Sequence, residues 1–166
     1  KLPDPTWSYC HWGATGGHAG EGDSAATAQW TAPFDAEIRI SGSLSVPGEA
    51  GNGVRGWIVS RGSGNLLDAH AGPKSSVSMG VTKVLVKKGD ALTFAVTCEG
   101  DSSYDGFSWA PVITRVLPDE RTALLTDAKR DFCGPDHWPA GRVRPQSPLS
   151  QLAQVLLMSN EFQFVD

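Results

Sequence analysis

The sequence predicts an all-β fold, an antiparallel jelly-roll-like β-sandwich, and three observations point to it. Nineteen glycines and eleven prolines punctuate 166 residues, with β-branched residues clustered between them, as in chains of short strands and tight turns. Apolar residues recur at every second position in several runs, the period of a strand that buries one face. Turn signals return about every ten residues with no helical period before Leu117, the spacing of two packed antiparallel sheets.

Taken in order, residues 1–12 open with two prolines and then set Trp7, Tyr9 and His11 against Ser8, Cys10 and Trp12, a strand with aromatics on both sides. Gly13 to Asp23 holds five glycines with His18, Glu21 and Asp23, too flexible for regular structure unless a ligand, a metal or close backbone packing organises it. Thr27 to Pro33 and Ala36 to Val46 are the next strands; Ile38, Ile40, Gly42, Leu44 and Val46 keep a clean period of two. Pro47 to Gly53 is a loop. Val54 to Ser60 is a strand with Val54, Gly56, Ile58 and Ser60 on one face and Arg55, Trp57, Val59 and Arg61 on the other, so Trp57 departs from a simple in-out pattern. Arg61 to Asn65 is a hairpin turn, Leu66 to His70 continues, and Ala71 to Lys74 breaks the chain before Ser75 to Val81.

Val81 to Val116 is the most clearly patterned stretch and reads as three strands. Val84 and Val86, then Leu92, Phe94, Val96 and Cys98, alternate with Lys87, Thr93 and Thr97, and the turn Lys87-Lys88-Gly89-Asp90 predicts a hairpin between the first two. The third run carries Phe107, Trp109, Pro111 and Ile113, and Pro111, lacking an N–H, demotes its end to an edge or bulge. Beyond Val116, Asp119 as a cap with Leu124, Leu125 and Ala128 predicts a short helix; residues 134–148 are a proline-rich connector. Leu149, Leu152, Ala153, Leu156 and Leu157 give an amphipathic helix that needs a partner surface. The expected division is a sandwich over residues 1–117 and a helical or irregular extension over 118–166.

Net charge is −4 with no run of Lys or Arg longer than two, which argues against nucleic acid as a partner. No apolar stretch approaches the roughly 20 residues that span a bilayer, so no membrane span is expected. The chain begins at Lys1 with neither methionine nor a signal-peptide core, as a mature or excised piece would. Cys10, Cys98 and Cys133 form no C-x-x-C pair; a Cys10–Cys98 disulfide in an oxidising compartment and three separate thiols are both open.

The ending LAQVLLMSNEFQFVD, Leu152 to Asp166, closely resembles the C-terminus of planctomycete cytochrome-associated exported proteins. The segments GGHAG (Gly16 to Gly20), QWTAP (Gln29 to Pro33), NGVRGWIV (Asn52 to Val59), KKGD and YDGFSWAPVI resemble a carbohydrate-binding-like β-sandwich module embedded in such chains. The resemblance implies an exported piece, extracellular or in the periplasm and cell envelope. It names no ligand, and no haem-attachment motif is present.

Sugars are held by aromatic rings against their C–H faces, with nearby polar side chains on their hydroxyls. Trp57 and Trp12, with Arg55, His18 and Asp105, are the expected glycan contacts; Trp109 is the most core-like of the candidate tryptophans. Glu21, Asp23 and Asp101, together with Asp105, lie in loops rich in glycine and serine and are candidate ligands for Ca2+, although their spacing fits no calcium-loop motif. No nucleophile–base pair or carboxylate pair lies in an identifiable motif, so no enzyme is expected. The expected function is a non-catalytic module that binds a glycan or polysaccharide. The alternative is a structural module making protein–protein contacts with other domains or subunits through the terminal helix.

Overall fold

A computed structural model describes residues 9–20 and 24–131. Thirteen strands and one short helix make up these residues: β1 (His11–Trp12), β2 (Gly16–His18), β3 (Ala26–Thr31), β4 (Ala36–Ser41), β5 (Ser43–Val46), β6 (Val54–Ser60), β7 (Gly64–Ala71), β8 (Ser75–Ser78), β9 (Val81–Val86), β10 (Ala91–Cys98), β11 (Gly106–Ser108), β12 (Val112–Val116), β13 (Thr122–Asp127) and α1 (Ala128–Asp131). The strands form three antiparallel sheets, ordered β3-β10-β6-β7, β1-β2-β11-β5-β8 and β13-β12-β4-β9. The expected all-β antiparallel sandwich is the fold.

Two of these sheets are joined end to end. Three stretches of chain, residues 36–46, 75–86 and 106–116, each supply one strand to both, and they keep the same neighbours in both. The breaks fall at Gly42, at Met79–Gly80 and at Trp109–Pro111. Period-two patterning runs straight through Gly42, which is why Ala36 to Val46 reads as one strand. The chain turns there because Gly42 adopts φ 147°, leaving its Cβ position 3.2 Å from the Trp109 indole nitrogen.

The core lies between this kinked sheet and the four-stranded one. Phe94, Ile58, Leu92 and Val96 from the latter meet Trp109, Leu44, Ile38 and Ile113 from the former, all buried. Trp109 fits because β6 presents glycine opposite it: a Cβ at Gly56 would stand 2.7 Å from Leu44, 3.1 Å from Met79 and 3.4 Å from Trp109. Phe94 meets the Trp109 ring edge-on at 5.7 Å.

Three expectations change. The turn at Lys87–Asp90 forms as predicted, with Gly89 at φ 90° and Lys87 N donating to Asp90 Oδ2 at 2.8 Å, yet it makes no hairpin. β9 pairs with β4, whereas β10 pairs with β3 and β6. Val84 and Val86 therefore lie across the core from Leu92 and Phe94, and alternating patterns of this kind serve two facing sheets as well as one. The helix expected at Leu124, Leu125 and Ala128 is instead β13 with a single turn after it. Arg121 N–H is turned toward Asp119 and Leu117 N donates to the Arg121 carbonyl at 2.8 Å, closing a hairpin of β13 on β12. The sheet thus runs on past Leu117. The glycine-rich stretch does hold regular structure, because β2 packs so closely: a Cβ at Gly17 would stand 1.9 Å from the His11 carbonyl and one at Gly16 2.1 Å from that of Phe107. The terminal helix and proline-rich connector lie outside the described residues.

Cys10 and Cys98 are free thiols. Cys98 Sγ turns to the Gly100 carbonyl at 3.4 Å, while Cys10 packs beside Gly20, where burial pushes its thiol pKa up.

Candidate functional site

The outer face of β3-β10-β6-β7 carries the first half of the expected site. Alternation along β6 buries Val54, Gly56, Ile58 and Ser60 and turns Arg55, Trp57 and Val59 outward. Trp57 is half-buried, and its cross-strand neighbours are the small Ala95 on β10 and Asp68 on β7. The indole Nε1 donates to Thr97 Oγ1 at 3.3 Å, which fixes the ring on the sheet. Arg55 lies against the same ring, its guanidinium carbon 5.9 Å from the centroid.

Arg55 does not swing freely. Its Nε donates to Glu99 Oε1 at 2.6 Å and its NH1 to Asp68 Oδ2 at 2.8 Å. Bonds to Glu99 first, then to Asp68, push the guanidinium pKa further up. Asn52 ties the rim together, its side-chain amide donating to the Glu99 carbonyl and its own carbonyl bonded to His70 Nε2 at 3.1 Å. An indole is thus surrounded by fixed charged and hydroxyl groups, with exposed Thr27, Gln29 and Thr31 on the neighbouring edge strand.

Three expected contacts lie elsewhere. Trp12 faces inward from β1 and packs on Phe107 at 5.1 Å and on Trp109 at 5.2 Å, so its area serves the core rather than a ligand. His18 sits on β2, in the other sheet, with Nδ1 bonded to the Ala19 carbonyl at 2.8 Å and its ring 6.0 Å from that of Tyr9. Asp105 is fully buried and cannot touch a glycan. It forms the turn into β11: its N–H donates to Ser102 and its carbonyl accepts from Ala19. Burial pushes its carboxyl pKa up, Asp101 adds to that, and His18 opposes it.

Of the expected calcium ligands, Glu21 and Asp23 lie outside the described residues. Asp101 is exposed and caps a turn, accepting from Ser103 N at 2.8 Å, a bond that holds its carboxyl below the usual range. Among the described residues, no three His, Cys, Asp or Glu side chains gather as metal ligands. Also among them, no helix is long and apolar enough to cross a membrane.

Glu99, Asp68, Thr97 and Asn52 complete the site and escape a reading of local sequence. Glu99 sits 44 residues from Arg55 and Asp68 sits 13 from it, and only the pairing of β6 with β10 and β7 brings them together. A lone arginine on the outer face of a predicted strand was the available signal, since such a charge needs partners across the register.

No protein-family model and no curated protein matches the chain. Among solved structures, the chain is similar to a Podospora anserina GH26-CBM35 beta-(1,4)-mannanase, with 16% identity and a TM-score of 0.36 over 67% of this chain. It spans 24% of that mannanase's length.

Proposed function

We propose that the chain is a non-catalytic carbohydrate-binding module of an exported multidomain protein, acting in the cell envelope or outside the cell, and that the face around Trp57 receives the glycan. The observation that supports this is the fixed Trp57 ring beside the Arg55–Asp68–Glu99 cluster. The indole supplies a flat apolar surface for the C–H face of a pyranose, and the charged groups supply donors and acceptors for its hydroxyls. Arg55 sits between two carboxylates, so its charge is already compensated. The face therefore suits a neutral sugar better than an acidic one.

The test is binding of the full chain to a glycan panel beside Trp57→Ala. Affinity for at least one neutral glycan falls roughly tenfold or more in the variant, as when an aromatic anchor is truncated. A blank panel from folded protein would sink the reading.

A second reading, a structural or assembly module, draws on the opposite side of the molecule. Leu85 is 68% exposed and Leu124 51% exposed on β9 and β13, the two edge strands of β13-β12-β4-β9, apolar side chains available to another domain or subunit. A monodisperse monomer with no affinity for its neighbouring domains would count against it.

A further inference from the structure

Asp105 is the most anomalous side chain among the described residues. It has no exposed surface, and among the described residues neither carboxylate oxygen has a hydrogen-bond partner. Its backbone is fully engaged, which locks the side chain in place. A buried carboxylate is retained when a counter-charge or donors satisfy it. Among the described residues no lysine or arginine answers it; burial dominates, His18 offers a partial counter-charge, and the nearby Asp101 adds negative charge.

The surroundings supply oxygen. A Cβ at Gly51 would stand 2.9 Å from the Ser103 carbonyl and 3.4 Å from Asp105 Oδ1, so both oxygens lie against the same glycine and a side chain there would press on the Ser103 carbonyl. Gly51 holds φ 95°, and Tyr104, between the two oxygen donors, holds φ 68°, a left-handed backbone unusual for an aromatic residue and of the kind that clusters at ligand sites.

We propose that Asp105 and the Ser103 carbonyl hold a hard cation of the calcium class, seated between the loop of residues 48–53 and the turn of residues 101–105. Calcium accepts mixed carboxylate and carbonyl oxygens in irregular geometry and completes its shell with water, whereas zinc favours nitrogen and sulfur. Of the four carboxylates expected as calcium ligands the site keeps Asp105 and replaces the others with a backbone carbonyl, and it does not depend on glycan binding.

The experiment is calorimetric titration of the full chain with Ca2+, beside thermal melts in Ca2+, in Mg2+ and in chelator at constant ionic strength. Wild type binds Ca2+ with Kd of roughly 10⁻⁴–10⁻³ M or tighter, the range of extracellular modules, and melts several degrees higher in Ca2+ than in chelator. Asp105→Asn loses both effects. No Ca2+ binding by wild type, or undiminished binding by folded Asp105→Asn, overturns the proposal. Should that variant fail to fold, Gly51→Ala probes the same space: its Ca2+ affinity falls at least severalfold, and unchanged affinity overturns the site.

Discussion

Arg55 on β6 and Glu99 just beyond β10 are joined by a 2.6 Å hydrogen bond across the strand pair that carries Trp57. Both side chains are about one-third exposed, at 37% and 34%, so water screens the pair and its value lies more in position than in stability. Truncating Glu99 to Ala frees Arg55 on one side and leaves Asp68 as its remaining anchor. Glu99→Ala therefore weakens glycan binding severalfold while the urea midpoint barely moves. A large loss of stability with unchanged affinity would show that the cluster is structural.

The contact between Gly56 and Trp109 makes the opposite prediction. Gly56→Val inserts a branched side chain where Leu44, Met79 and Trp109 already meet, and overpacking of this kind costs about 1–3 kcal/mol. Trp109→Ala leaves a cavity between the sheets and costs about 3–5 kcal/mol. Urea unfolding followed by circular dichroism measures both. Wild-type stability in Trp109→Ala would mean that the two sheets do not close on this ring.

Gly17 has no room for a methyl group, since the atom nearest its Cβ position is the His11 backbone carbonyl at 1.9 Å. Backbone cannot rotate aside as a side-chain end can. Gly17→Ala therefore pries β1 from β2 and uncovers Trp12, at a cost of about 1–3 kcal/mol. Tryptophan fluorescence of the folded variant should shift to the red. An unchanged spectrum and midpoint would show that β1 tolerates displacement.

The strands were largely legible in the sequence because alternation is a local property. The two faces of Val54 to Ser60 are legible in its alternation, and the structure adds that Trp57 is on the outer one. Pairing is not local, so Lys87–Asp90 announces a turn without saying whether the chain returns beside itself or crosses to the facing sheet. Leu124 and Leu125 fit a helix as well as they fit an edge strand, and the strand prevails because β12 offers it a ladder. At the site, Trp57 and Arg55 were accessible as two outward residues on one strand. The inward face of Trp12 is not legible because a two-residue strand does not fix which face is inward, and the burial of Asp105 is not because a carboxylate in a polar turn gives no sign of it.

Asp131 closes the last described turn and makes folding sensitive to acid. Its Oδ2 accepts from Thr126 Oγ1 at 2.6 Å and from Asp127 N at 3.0 Å, and Arg130 donates to both of its oxygens. The Arg130 bond first, then that of Thr126, holds its carboxyl far below the usual range, with partial burial opposing them. A carboxyl whose folded pKa is depressed adds stability above its unfolded value, and that stability is lost as pH falls through the folded one. Wild type should therefore lose this increment on acidification below about pH 4, the unfolded carboxylate value, whereas Asp131→Asn should already lack it at pH 7 and show a flatter dependence. The increment is about 1 kcal/mol or less, because Arg130 is exposed and only Thr126 is buried. Urea midpoints of the two proteins between pH 7 and pH 3 measure it. Parallel curves would show that β13 is held by its ladder with β12 and owes nothing to this carboxylate.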